Sequence, residues 1–171
     1  MDARSQWHDV DTVGADAVVP PRPTWRGTLR RMRARRRAGV ELESGVLIGR
    51  DVVLRAAPGA CLRIGAGAAL GDGARLEARG GELRVGAGTA VGAHAMLAGA
   101  VMIGRECVVG DWARAEGDAR LEDRARLAAH AVALGSARVG AGAVVGSYAV
   151  VDGAVAPGAI VKPEEGLTPF T

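Results

Sequence analysis

The sequence is poor in the side chains that most globular proteins use for packing and for covalent crosslinks. Phe, Trp and Tyr together make up 3% of the chain, so large interlocking rings do not fill its interior. Two cysteines, Cys61 and Cys107, are too few for a disulfide framework. Lys162 is the sole lysine, and a skew this strong towards arginine is typical of GC-rich coding sequences. We therefore do not take the net charge of +3 as a sign of a nucleic-acid partner.

Long apolar runs are also missing. No stretch approaches the length of a membrane span, and the N-terminus lacks the basic-then-apolar order of a signal peptide. The sequence therefore predicts a soluble, cytoplasmic protein without a membrane span. Its 171 residues suit one domain with a short extension.

What the chain does have is a period of six over residues 85–156. The first position of each hexad is a branched aliphatic residue in ten of twelve cases and alanine in the other two, and the fifth position is small. A period of six fits neither a helix nor a simple alternating strand. It is typical of a solenoid whose short strands meet at tight corners. The first-position residues are Val85, Val91, Leu97, Ile103, Val109, Ala115, Leu121, Leu127, Ala133, Val139, Val145 and Val151.

The hexads resemble those of a known family. Runs such as Ile-Gly-Arg-Glu-Cys-Val (103–108) and Val-Gly-Ala-Gly-Ala-Val (139–144) are similar to the repeats of bacterial hexapeptide acyltransferases, most of all the sugar and galactoside O-acetyltransferases. This resemblance implies an all-β solenoid, a left-handed parallel β-helix with three hexads per coil and about six coils. It also implies a homotrimer that uses acetyl-CoA or another acyl-CoA as co-substrate, acts on a sugar or other small-molecule acceptor, and needs no metal.

The segment before the repeats predicts a short α-helix. Thr24 offers an N-cap, Trp25, Leu29 and Met32 form an apolar stripe at helical spacing, and Gly39 is a C-terminal stop. We interpret this helix as a cap over the open end of the solenoid. Its arginines alternatively form an arm for nucleic acid or anionic lipid. The predicted domains are a flexible arm (1–23), a basic capping helix (24–39), the β-helix (40–161) and a tail (162–171).

Four ring-bearing side chains, His94, Trp112, His130 and Tyr148, follow one another at equal intervals of three hexads, each at the fourth position of its hexad. Three hexads per coil place all four at the same corner of successive coils. A chance alignment of this kind is expected about once in several thousand cases. The spacing of neighbouring strands then predicts a ladder of rings about 4.8 Å apart.

The ladder admits three interpretations. In a structural one, the corner needs a left-handed backbone, which histidine tolerates, and the stacked rings stabilise one another or a trimer interface. In a catalytic one, His94, or with less support His130, is the general base for acyl transfer, and Trp112 and Tyr148 line the cleft. A metal site like that of gamma-class carbonic anhydrases would need a third histidine where this chain has Gly135.

The chain departs from the family pattern where relatives carry a loop with the catalytic histidine. The matching segment, 109–120, contains no histidine, and the hexad frame passes through it without extra residues. His130 falls where relatives have a corner residue, so His94 is the candidate base on its chemistry alone. Lys162, after the closing strand, is the candidate contact for the CoA phosphates. The second hypothesis is accordingly a non-catalytic trimeric scaffold or binding module that has lost the loop.

Overall fold

Short strands separated by tight corners make up nearly all of the described chain. The structure is a computed structural model and describes residues 30–31, 35–37 and 39–163. Its strands form an all-β parallel solenoid of about 7 turns that matches a left-handed β-helix. The predicted fold class, a parallel β-helix, is confirmed, with about 7 turns in place of the six expected.

Each turn contributes strands to three sheets, which we call A, B and C, with eight, eight and six strands. Sheet A consists of β1 (Arg30–Arg31), β4 (Leu47–Ile48), β7 (Ala69–Leu70), β10 (Ala90–Val91), β13 (Val108–Val109), β16 (Arg126–Leu127), β19 (Val144–Val145) and β22 (Ile160–Val161). Sheet B consists of β2 (Arg35–Arg37), β3 (Val40–Leu42), β6 (Cys61–Ile64), β9 (Glu82–Val85), β12 (Met102–Ile103), β15 (Arg120–Leu121), β18 (Arg138–Val139) and β21 (Ala154–Val155). Sheet C consists of β5 (Val53–Ala56), β8 (Arg75–Ala78), β11 (Met96–Gly99), β14 (Arg114–Gly117), β17 (Val132–Ala133) and β20 (Val150–Val151).

The interior is a set of aliphatic columns flanked by small residues. First-position residues from Val85 to Val145 are at most 3% exposed, and fifth-position residues from Thr89 to Ala149 are fully buried. Because the strands pair in parallel and in register, each aliphatic side chain lies over its equivalent in the next turn, as Val91 does over Val109. Burying one such side chain contributes roughly 1.5–3 kcal/mol, and the small fifth residue leaves room for it.

One polar pair lies within this apolar interior. The Thr89 hydroxyl donates to the Gly104 carbonyl at 2.8 Å and accepts from the Cys107 amide at 3.2 Å. The Cys107 thiol in turn lies 3.0 Å from the Glu122 carbonyl, to which it donates. These contacts offset the cost of burying the polar atoms. Burial also raises the pKa of the Cys107 thiol to about 11, so the nucleophilic thiolate is strongly disfavoured there.

In the early turns the hexad spacing predicts one register that includes Ile48 and Leu54 and a second, offset register that includes Leu70 and Leu76. Ile48 pairs with Leu70, and Leu54 pairs with Leu76, so sequence offsets in this region are absorbed by longer corners while the strands stay aligned. The spacing also predicts a three-residue insertion around 82–84. The structure has it at 79–81 instead, because β9 begins at Glu82 and runs directly into the repeats.

The hexad frame breaks in the last turn, and the prediction of an unbroken repeat is wrong there. Leu121 pairs with Val139 at the usual spacing of three hexads, but the partner of Val139 is Val155 rather than a residue three full hexads further on. The shortening belongs to the corner after Val151, where Asp152 is exposed. A terminal turn tolerates it because fewer turns stack upon its corners.

The predicted N-terminal helix is wrong at the residues that the structure describes. There, β1 pairs antiparallel with β4, and β2 pairs antiparallel with β3, so both stretches are strands. The first turn presents unpaired backbone groups along its edge, and pairing with them outweighs the weak helical preference of a short apolar stripe. The remainder of the range 24–38 lies outside the described residues. In the described part of the chain, no helix has the length and apolarity needed to cross a bilayer.

Close approach between turns makes specific glycines sensitive to substitution. A Cβ added at Gly110 would lie 2.6 Å from the Ala129 amide nitrogen, whereas one added at Gly153 would meet no atom within 4 Å. We expect Gly110→Ala to lower the free energy of unfolding by about 1–3 kcal/mol through overpacking. Gly153→Ala is the matched control and should not destabilise the protein. Urea unfolding of both variants measures the difference, and equal stabilities would contradict this account of the stacking.

The two cysteines should differ in reactivity. In the folded protein we expect iodoacetamide to label the half-buried Cys61 and to leave the buried Cys107 unmodified, with both labelled in guanidinium. Because the folded state keeps the Cys107 proton to about pH 11, the unfolded chain holds fewer protons than the folded one above pH 9, and stability falls over that interval. Cys107→Ala should flatten this part of the curve relative to the wild type. Rapid native labelling of Cys107, located by mass spectrometry, would contradict its burial.

Candidate functional site

The four side chains of the predicted ring ladder project from the corner between sheets A and C. At this corner the fourth hexad residue has a left-handed backbone, with φ of 57° at His94, 61° at Trp112, 59° at His130 and 66° at Tyr148. Histidine adopts this conformation more readily than most residues do, whereas an aromatic ring there is uncommon. The expected corner conformation is confirmed, so part of the residue choice follows from the backbone.

The rings stack into the predicted ladder. The ring centroids of His94 and Trp112 are 4.4 Å apart with planes inclined by 20°, and those of His130 and Tyr148 are 4.8 Å apart with planes inclined by 4°. Trp112 and His130 are wider apart, at 6.4 Å, but nearly parallel at 2°. Stacked ring pairs of this kind contribute roughly 0.5–1.5 kcal/mol each. The rings therefore act as one rigid ridge along the solenoid.

Backbone hydrogen bonds fix the height of each ring. The His94 amide donates to the Asp72 carbonyl at 2.8 Å, and the His130 amide donates to the Asp111 carbonyl at 3.0 Å. The Asp111 carboxylate also accepts from the Ala93 amide at 2.8 Å. Asp111 therefore braces the corner rather than facing an imidazole. The backbone hydrogen bonds that join successive turns therefore also set the spacing of the rings.

The ridge is open to solvent. Trp112 is 54% exposed and Tyr148 is 62% exposed, and both imidazoles are exposed as well. Because the ring faces cover one another, the ridge presents ring edges, which carry the imidazole nitrogens, the indole N–H and the phenol hydroxyl. His94 ends the stack above Gly73, where an added Cβ would lie 2.5 Å from Nδ1. A glycine is thus required under His94 for the ring to lie where it does.

The two histidines are held apart from each other. Trp112 separates them, at 4.4 Å from His94 and 6.4 Å from His130, so they cannot ligate one ion together within a single chain. Within residues 39–163, no group of three or more His, Cys, Asp or Glu side chains is placed to hold a metal ion. The ladder is therefore a row of separate polar edges within one subunit.

Lys162, the predicted phosphate contact, lies near the ladder along the chain but on a different turn. It follows β22 and is exposed, and β22 pairs with β19 in the turn that carries Tyr148. The structure thus places Lys162 one turn beyond the last ring, at the C-terminal end of sheet A.

A second row of side chains escaped the sequence analysis. Arg63, Arg84, Met102, Arg120 and Arg138 face outward from sheet B at equivalent positions of successive turns. We call this row the arginine column. From Arg84 onward its members recur every three hexads, which is the spacing that revealed the rings. The regular spacing is visible in the sequence, but this row does not stand out because arginines also occur at many other positions.

Comparison with known proteins does not identify a function. No protein-family model matches the chain, and no curated protein matches it. A UDP-N-acetylglucosamine acyltransferase from Campylobacter jejuni is similar in structure, with 14% identity, 71% of this chain and 68% of that chain covered, and a TM-score of 0.38. The N-terminal domain of CcmM in a complex with CcmN is similar with 22% identity, coverages of 73% and 86%, and a TM-score of 0.30. At such identities and TM-scores neither likeness carries an argument about this chain.

Ring stacking and corner conformation can be separated by mutation. Trp112→Asn keeps a residue that tolerates a left-handed backbone but removes two ring contacts, so we expect a loss of roughly 1–2 kcal/mol of stability. Glu106→Asn is the control, since Glu106 has a φ of 53° at another corner and no ring contact among the described residues. Denaturant unfolding checks both variants. If they lose the same stability, the rings do not support one another and only the corner conformation matters.

Proposed function

We propose that this protein is an acyltransferase that moves an acetyl or related acyl group from CoA to a hydroxyl or amine of a small acceptor. The observation that carries the proposal is the ridge of rings, which holds two imidazoles rigid and exposed on one edge. Imidazole is the side chain most often used to remove a proton from an acceptor near neutral pH. Rigid placement of such a group is what general-base catalysis requires.

His94 is the proposed base. It ends the stack, so one of its faces is supported by Trp112 while the turn below offers only Gly73 beneath it. In the reaction, the His94 nitrogen takes the proton from the acceptor as the acceptor oxygen or nitrogen attacks the thioester carbonyl. The tetrahedral intermediate then expels the CoA thiolate, and His94 returns the proton to that sulfur. His130 sits between two rings and is the weaker candidate.

The same ridge is the proposed contact between subunits of a homotrimer. Trp112 and Tyr148, both on the ridge, are among the large apolar residues most exposed in the described chain, and aromatic side chains concentrate at interfaces. A cleft formed there would have Trp112 and Tyr148 as its wall. Lys162, one turn beyond the ladder, would then lie on the side where the CoA phosphates enter.

A specific observation favours a second candidate, a non-catalytic scaffold. Ala90 pairs with Val108, Met96 with Arg114, and Met102 with Arg120, each at a spacing of three hexads. The solenoid therefore passes through the region where related acetyltransferases carry their histidine loop without any excursion. A chain that lost this loop would keep the assembly surface and lose the reaction.

Calorimetric titration with acetyl-CoA and with CoA separates the two candidates. For the acyltransferase we expect saturable binding near one site per chain, retained in His94→Asn, while acyl transfer to an acceptor falls by about 10²–10⁴-fold. Asparagine is used because it tolerates the left-handed corner. Glu106→Asn is the matched corner control and should keep full activity. Absence of any binding heat from the wild type at high protein concentration would contradict the acyltransferase and favour the scaffold.

A further inference from the structure

Four arginines on or beside sheet B have no carboxylate partner in the part of the chain that the structure describes. Arg63 is paired with Glu41 at 3.1 Å and with Glu82 at 3.6 Å. By contrast, the other four guanidinium groups on this face form no ion pair, because no described carboxylate oxygen lies within 4.0 Å of their nitrogens. These are the groups of Arg84, Arg105, Arg120 and Arg138. All four are exposed, so they remain available to an anion.

Three acidic side chains on this face each brace a corner through one carboxylate oxygen. The Glu43 carboxylate accepts from the Ala66 amide at 2.8 Å, and the Asp123 carboxylate accepts from the Arg105 amide at 2.8 Å. The Glu122 carboxylate accepts from an amide of the next turn at 3.0 Å. These contacts use one oxygen of each carboxylate and hold corners together, so the acids keep their negative charge, but none of them forms an ion pair with the four arginines.

A groove runs beside the arginine column and is bounded at both ends by acids. Its floor is Gly65, Gly86 and Gly104, which follow one another in successive turns, and the same row continues with Glu43 before them and Glu122 after them. The close stacking of the turns requires these glycines, since an added Cβ at Gly65 would lie 2.6 Å from the Ala87 amide nitrogen. The cavity that they line has a volume of about 580 Å³. The groove therefore has a mainly basic side wall, with Asp123 beside Arg105, and a glutamate at each end of the glycine row.

This charge pattern selects the kind of occupant. Nucleic acid and anionic membranes are uniformly negative, so they would meet Glu43 and Glu122 as like charges, and the described aromatic stack that bases would need lies at another corner. A polypeptide can carry acids in its middle and bases at its ends. Four coil steps of about 4.8 Å separate the two end acids, which is about the length of seven extended residues.

We propose that the sheet B groove binds a short extended segment of a partner protein, with acidic residues at its centre and a basic residue at each end. The central carboxylates pair with Arg84, Arg105 and Arg120, and the terminal cations pair with Glu43 and Glu122. Alternate residues of an extended segment face the same side, so charges at every second position reach the groove together. The face lies opposite the corner that carries the rings. Binding there does not depend on the proposed acyl transfer.

Two labelled peptides of identical composition provide the test. One is Lys-Thr-Glu-Thr-Glu-Thr-Lys and the other is Glu-Thr-Lys-Thr-Lys-Thr-Glu, so only the order of charges differs. Fluorescence anisotropy with the full chain should show the first peptide binding at least about tenfold more tightly, as expected when several ion pairs form or repel together. Added salt should weaken this difference, because the contacts are exposed.

The matched variants carry equal charge changes on two faces. The triple variant Arg84→Gln, Arg105→Gln, Arg120→Gln should bind the first peptide about tenfold more weakly and lose the preference between peptides. The control variant Arg55→Gln, Arg75→Gln, Arg114→Gln alters exposed arginines of sheet C and should bind as the wild type does. Thermal unfolding of each variant verifies that the solenoid is intact.

Several outcomes would overturn the proposal. The proposal is wrong if the two peptides bind with equal affinity or if neither binds. It is also wrong if both triple variants lose the same affinity, because the groove then does not distinguish peptides by the order of their charges. Tighter binding of single-stranded DNA or anionic vesicles, lost in the sheet B variant alone, would reassign the face to a uniform polyanion. Sedimentation showing self-association that only the sheet B variant loses would assign the groove to a second copy of this chain.

Discussion

The stacking of one turn on the next, at the spacing of neighbouring parallel strands, is the constraint on which this structure depends. Each turn must place an aliphatic residue over its equivalent, a small residue beside it, and a corner that fits over the corner below. Gly110 illustrates the limit, since the backbone of the following turn lies within 2.6 Å of where its Cβ would be. Whether a side chain fits therefore depends on the turns above and below it rather than on its neighbours in sequence.

The same constraint turns a linear period into surface columns. Residues three hexads apart in the regular turns share a face, so a property that recurs at that spacing becomes a continuous stripe. The rings form such a stripe at one corner, and the arginine column forms another on the opposite face. In each case a row of similar side chains acts as a unit: the rings support one another through their faces, while the arginines add their charges along one groove.

The ring-bearing side chains lie at corners because the core has no room for them. Interior positions accept only aliphatic or small side chains, and even Cys107 is held there as a neutral thiol beside Thr89. The left-handed corner residues point outward and are free of packing demands beyond their own backbone. A candidate site in this protein is consequently a ridge or a shallow groove. A subunit contact along the ridge would convert it into a cleft.

The sequence by itself determined the solenoid, the buried columns and the alignment of His94 with Trp112, His130 and Tyr148, because a period that matches the turn fixes which residues meet. It did not determine the structure at the two ends of the solenoid. The stretch around Arg35–Arg37 carries a weak helical pattern, yet it pairs as a strand with β3, since an open sheet edge offers backbone partners that no local preference reveals. Tertiary structure alone also decided the shortened last turn and the partners of the charges on sheet B. Whether an arginine is neutralised depends on where each carboxylate hydrogen-bonds in space, and that information is absent from spacing along the chain.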